Sequence, residues 1–124
     1  MNLSAARVFV RDLHEAQHFY GTLLGLPLRA GSAAHGFCVF APGSVQLIVE
    51  SVALDAPQEE QALVGRFTGL SFAVASVAAR YGELRAAGVQ FTGEPEAQSW
   101  GGTLATFRDP CGNELQLVQL PGAA

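Results

Sequence analysis

The sequence predicts an α+β fold made of two copies of a β-α-β-β-β module. The first observation is a recurrence of helix boundaries. Asp12 opens a helix that Gly25 closes, and Ser76 opens another that Gly88 closes, so the starts lie 64 residues apart and the stops 63. The second is the alternation before each helix, where Val8 and Val10 are matched by Phe72 and Val74. The third is the stretch FRDPCGNELQLVQ (107–119), which reads as a strand end, a tight turn and a further strand. Self-similarity at a fixed offset is a structural signal in its own right.

Each element has a local cause. Residues 6–11 alternate as a strand, with Ala6, Val8 and Val10 on one face and Ala5, Arg7, Phe9 and Arg11 on the other. Asp12 and Glu15 fit a capping box. Leu13, Ala16, Tyr20, Leu23 and Leu24 form the apolar stripe, with Phe19 at its margin. Gly25 is the C′ residue that ends the helix. Strands are expected at about 26–30, 36–41 and 45–50, with Pro42 and Gly43 turning between the last two.

Residues 51–67 form a polar linker with a short helix opened by Asp55 and Pro57. In the second copy Val77, Tyr81 and Leu84 form the helical stripe. Strands follow at about 89–92, 102–108 and 114–120. In the last turn Pro110 sets an early position, and Gly112 and Asn113 tolerate a positive φ. The expected organisation is one domain over 1–124: module one at 1–50, linker 51–67, module two at 68–120. With a helix on one face of each sheet, the modules are expected to form a curved eight-stranded mixed sheet around a cleft, helices outside. A concave face of that kind suits a small ligand.

Composition narrows the function. A net charge of −4 and a pI near 5.2 argue against nucleic acid or an anionic membrane as partner. The seven basic residues are all arginine. The first residues show no apolar leader, and no window approaches the apolar run of a membrane span. Cys38 and Cys111 make neither a disulfide framework nor a metal-ligand spacing. A cytoplasmic protein is the expectation.

The residues Val10–Leu26 (VRDLHEAQHFYGTLLGL), Leu84–Phe91 (LRAAGVQF), the Trp100-Gly101 pair and FRDPCGNELQLVQ resemble the vicinal oxygen chelate superfamily. That superfamily includes glyoxalase I, extradiol dioxygenases, fosfomycin-modifying enzymes and bleomycin-resistance proteins. The resemblance covers most of the chain. It implies the paired-module fold, and commonly a homodimer in which modules pair within a chain or between chains.

The resemblance also implies where a metal would sit. Metal-using members present a His or Gln from the first strand of each module and a Glu from its last strand. The first-strand positions, seven residues before the helix caps, are Ala5 and Gly69. The last-strand position seven residues after Asp109 is Gln116, and its counterpart is Gln46, or Ile48 if the register shifts by two. Ala5 and Gly69 offer no donor, and two neutral amides are poor ligands for a divalent cation. The expectation is the family scaffold without metal or cofactor.

Other residues bear on a site. His14 and His18 stand at i, i+4 but lack a visible third ligand, which favours a solvated helix face. His35 has no assigned role. Cys38 reads as a buried strand residue, and Cys111 has no neighbouring base. If Val8 and Val10 face the helix, Arg7 and Phe9 face the cleft with Ser71, Ala73, Gln46, Ile48, Gln116 and Val118, and Trp100 lies at its rim. Such a lining suits a flat aromatic or partly anionic ligand. The competing expectation is that Arg7 pairs internally with Glu50 or Glu114. Antibiotic-binding relatives often carry an arginine where Thr103 stands, which puts a phosphonate-type site in doubt.

Two functions follow. One is a metal-independent small-molecule binding protein of the bleomycin-resistance type. The other is a glyoxalase-like lyase, isomerase or dioxygenase with an atypical site, against which stands the lack of an acid–base pair.

Overall fold

The computed structural model describes residues 1–122. Strand β1 (Ala5–Val10) leads into helix α1 (Leu13–Gln17), and β2 (Leu28–Ser32), β3 (Phe37–Phe40) and β4 (Gln46–Ser51) follow. After a short helix α2 (Gln58–Gln61), the pattern repeats as β5 (Phe67–Ala73), α3 (Val77–Ala86), β6 (Gln90–Phe91), β7 (Glu96–Ala97), β8 (Thr103–Arg108) and β9 (Glu114–Gln119).

Hydrogen bonding groups the strands into two mixed sheets. The first has the order β1-β4-β3-β2 and the second β5-β9-β8-β6, with β7 also paired to β8. In each, the first and last strands of the module run parallel and the remaining pairs are antiparallel. The repeat is therefore one of topology as well as pattern. In place of one eight-stranded sheet, the described residues form a four-stranded and a five-stranded sheet. The additional strand, β7, is only two residues long, too short to show any period in the sequence. By contact density the chain forms two compact units. One is Met1–Arg66 with Pro110–Asn113; the other is Phe67–Asp109 with Glu114 onward.

In the first unit, Val8, Val10, Cys38, Phe40, Leu47 and Val49 are buried on the helix-facing side of the sheet. Asp12 caps α1 by accepting a hydrogen bond from Glu15 N at 3.1 Å. The expected single α-helix gives way at His18–Leu23 to a wider π-helical turn, in which Leu24 N donates to Phe19 O at 2.9 Å. Widening the turn rotates the later residues relative to a 3.6-residue period. Phe19 consequently enters the core at 3% exposure, whereas Leu23, expected in the stripe, is half-buried. Tyr20 is fully buried, edge-on to Phe19 with ring centroids 5.0 Å apart.

The linker of the first unit is tied down. Gln61 Nε2 donates to the carbonyls of Ala53 and Leu54 at 2.8 and 3.0 Å, and Val64 bridges in parallel to Phe9.

In the second unit, Ser76 caps α3 by accepting from Ala79 N at 3.1 Å, and Val77 and Leu84 are buried as expected. Phe107 is fully buried beside Phe91 and Phe72, at centroid distances of 5.7 and 6.4 Å. Leu115 and Leu117 complete that side. The alternation of β8 and β9 thus sends odd-numbered residues to the helix and even-numbered residues to the open face.

Candidate functional site

Arg7, Phe9, Gln46, Ile48, Ser71 and Gln116, singled out in the sequence, lie on the faces that the helices leave open. On the first sheet, parallel register sets Ala5 beside Gln46, Arg7 beside Ile48 and Phe9 beside Glu50. Arg7, Phe9, Gln46, Ile48 and Glu50 alternate with buried neighbours, and Ala5 is two residues from Arg7, so the pleat itself brings all six to one face. The Ala5–Gln46 pairing also resolves the register: Gln46, not Ile48, is the neighbour of the first-strand position. Arg7 Nη1 is hydrogen-bonded to a Glu50 carboxylate oxygen. The internal pairing expected as the competing outcome for Arg7 is what forms, so the first face does not present a lone guanidinium.

On the second sheet, Ser71 pairs with Gln116 and Thr106 with Gln116. Ser71 Oγ donates to Gln116 Oε1 at 3.4 Å, and Gln116 Nε2 donates to Thr106 Oγ1 at 3.2 Å. Three strands thus contribute one short polar ladder, β5 to β9 to β8. Arg108 Nε donates to Glu114 Oε2 at 3.1 Å on the same face.

Position 69 differs in kind. Gly69 has φ +74°, and the β5–β9 register shifts between Phe67 and Ser71. Thr68 holds this bulge: its Oγ1 donates to Glu114 O at 2.8 Å and accepts from Leu70 N at 3.1 Å. A side chain on a left-handed residue costs roughly 1–2 kcal/mol, so a His or Gln there would carry a backbone penalty as well as a new side chain.

The fit to a metal is therefore poor. Ala5 and Gly69 supply no donor atoms, Gln46 and Gln116 supply neutral amides, and Gln116 already bonds two neighbours. Among the described residues no group of three or more His, Cys, Asp or Glu side chains is placed to hold a metal ion.

Trp100 is 49% exposed in the turn between β7 and β8, where Gly101 N donates to Gln98 O at 3.0 Å and Gln98 N to Gly102 O at 2.8 Å. Its ring lies over Gly102; a Cβ there would fall 1.9 Å from the Trp100 ring. Gly102 therefore sets the position of the indole.

Two concavities lie within single units. A shallow depression of about 450 Å³ runs along α1 and its π-helical turn, lined by His14, Gln17, His18, Thr22, Leu28 and Phe40. Both histidines are exposed, in keeping with a solvated helix face. A pocket of about 350 Å³ on the open face of the second sheet is lined by Thr92, Glu94, Glu96, Gln98, Thr106 and Gln116, among others. Nothing in the residue order places Glu94 or Gln98 near Gln116; the pairing of β7 with β8 brings them there. His35 accepts or donates a hydrogen bond with Ser32 Oγ at 2.9 Å through Nδ1. Cys38 is fully buried, and burial pushes its thiol pKa up. Cys111 is half-buried, with Arg11 N donating to its Sγ at 3.3 Å.

Paired modules of one topology, each with a helix on one face and an open second face, define the class. The chain belongs to the glyoxalase/bleomycin resistance protein/dioxygenase superfamily, whose model matches residues 2–117. Comparison with curated proteins gives no match. Among solved structures, UcmS2 is 28% identical, with 95% of this chain and 97% of that one covered at a TM-score of 0.80. A superfamily member from Sphaerobacter thermophilus DSM 20745 is 27% identical, covering 96% and 97% at 0.78. TnmS3, an antibiotic binding protein from Streptomyces sp. CB03234, is 25% identical, covering 97% and 96% at 0.75.

Proposed function

We propose that this chain binds a small organic molecule without a metal ion and without transforming it. The observation that carries the reading is position 69, where a metal-using relative needs a side-chain donor and this chain has a glycine at φ +74° within a bulge. Its partner position, Ala5, likewise lacks a donor. The likeness to TnmS3, described as an antibiotic binding protein, supports binding as the activity. On the open face of the first unit Phe9 supplies aromatic surface and Gln46 hydrogen bonds; in the second unit Trp100 supplies aromatic surface and Ser71 and Gln116 hydrogen bonds. Arg7 and Ile48 complete the first open face, with Arg7 acting together with Glu50. The same reading takes the protein as a cytoplasmic homodimer, which light scattering at about twice 13.0 kDa checks.

Elemental analysis of dialysed protein, run beside a thermal-shift screen of planar aromatic compounds and divalent metals, tests the proposal. Substoichiometric metal with stabilisation by an aromatic class is expected. One tightly held divalent ion per chain, or stabilisation by Ni²⁺, Mn²⁺ or Zn²⁺ at low concentration, sinks it.

A further inference from the structure

We infer that the pocket on the open face of the second sheet takes its ligand by a neutral cis-amide edge, that of a lactam or a primary carboxamide, held at two points by the side chain of Gln116. This rests on the binding-protein reading and adds to it the chemistry of one group of the ligand.

Gln116 is fixed from both sides. Strand β9 lies between β5 and β8, and Gln116 stands in register with Ser71 on one side and Thr106 on the other. Its Oε1 accepts from Ser71 Oγ at 3.4 Å, and its Nε2 donates to Thr106 Oγ1 at 3.2 Å. A primary amide has two N–H hydrogens and two acceptor lone pairs in one plane. The bonds to the flanking strands use the hydrogen and the lone pair that point sideways. The hydrogen and lone pair that remain lie side by side on the outer edge of the amide, directed off the sheet into the pocket that Gln116 lines. Because a hydroxyl both donates and accepts, a half-turn of the amide leaves the same edge.

One donor beside one acceptor in a fixed plane is complementary to the same edge of a second amide, which returns a C=O for the N–H and an N–H for the C=O. A carboxylate lacks the donor and an ammonium lacks the acceptor, while a trans secondary amide presents the two on opposite edges. The other polar groups of the lining are held less firmly. Gln98 is tied at one end, through Nε2 to the Glu96 carbonyl at 3.0 Å, and Thr92, Glu94 and Glu96 are exposed.

The next row of the same face is apolar. Val118, two residues along β9, stands in register with Leu104 on β8 and Ala73 on β5. Two residues of strand span roughly 7 Å, so a flat ring rising from the Gln116 edge has one face toward Leu104 and Val118. The volume of about 350 Å³ admits a bicyclic lactam.

Isocarbostyril, a flat bicyclic lactam, and N-methylisocarbostyril, which has a methyl group in place of the N–H, test this when each is titrated into the full chain by calorimetry. The lactam is expected to bind about tenfold more tightly, although the methyl compound is the more apolar. In Gln116→Met, which keeps the length of the side chain and removes the edge, the preference should vanish. NMR of the unsubstituted protein gives a readout that does not depend on the variant folding: the lactam should move a Gln116 side-chain amide proton downfield. Equal affinity for the two compounds, a preference that survives Gln116→Met, or an unmoved Gln116 resonance overturns the amide site while leaving the binding-protein reading standing. Binding of neither compound also overturns it, and the metal analysis and wider screen then judge the binding reading separately.

Discussion

The turns that join the last two strands of each module occupy equivalent places and do different work. In the first module, Pro42, Gly43 and Ser44 are exposed, and a Cβ at Gly43 would meet nothing within 4 Å. In the second, Asp109 and Asn113 are buried, and Pro110–Asn113 packs as part of the first compact unit. Asn113 Oδ1 accepts from Gly65 N at 2.8 Å and Arg66 N at 3.3 Å, while its Nδ2 donates to Phe9 O at 2.8 Å. One turn merely reverses the chain; the other fixes the end of the linker to β1, next to a residue of the open face. Repetition of topology therefore does not carry side-chain roles from one copy to the other.

The open faces differ in the same way. The first carries an ion pair, Arg7 with Glu50, among Phe9, Val39 and Ile48. The second carries the neutral ladder of Ser71, Gln116 and Thr106 beside two glutamates. The helix sides, by contrast, are both apolar. Burial constrains what lies beneath the helices, and the exposed faces were free to diverge.

The contrast between the turns gives the largest expected effect. Asn113→Ala leaves two backbone N–H groups and one carbonyl without their partner, and should cost about 3 kcal/mol in urea unfolding. Ser44→Ala should stay within about 0.5 kcal/mol. Equal losses at the two sites would remove the distinction. Asn113→Asp keeps the acceptor but sets a carboxylate against Phe9 O, and should fall between the two.

The glycines of the β5 bulge and of the first turn should respond with opposite signs. Gly69→Ala is expected to destabilise by roughly 1–2 kcal/mol because its φ of +74° suits only glycine. Gly43→Ala, where φ is not positive and space is open, should stabilise by about 0.4–1 kcal/mol. A neutral Gly69→Ala would remove the backbone part of the argument against a donor there.

Smaller effects sharpen the faces. The Arg7–Glu50 side chains are 56% and 33% exposed, so Arg7→Ala should cost below about 1 kcal/mol, and less in high salt. A larger loss would show that the pair anchors the first sheet. Thiol labelling gives the least perturbing test. Because burial raises the Cys38 pKa, its thiolate fraction at a given pH is small, so Cys111 should be alkylated first and Cys38 only on unfolding. Peptide mapping that finds Cys38 labelled first in native protein would contradict its burial.

Much of the fold was legible because its causes are local. Asp12 and Ser76 cap helices through bonds to residues three positions on, and period-two alternation follows from the pleat. The open-face assignment of Arg7, Phe9, Gln46, Ile48, Ser71 and Gln116 comes from that alternation alone. What escaped the sequence depended on distant partners. Asn113 was expected to serve a positive φ, yet only glycines adopt one among the described residues, Gly112 among them at +85°; the asparagine is placed by groups 47 and 104 positions away. The π-helical turn that buries Phe19, and the short β7 that brings Glu96 and Gln98 beside Thr106 and Gln116, were likewise decided by packing and strand pairing. Sequence determined which side chains face outward from each sheet, because that is a property of the backbone period. Tertiary structure decided which of them bond to one another, because that depends on partners far apart along the chain.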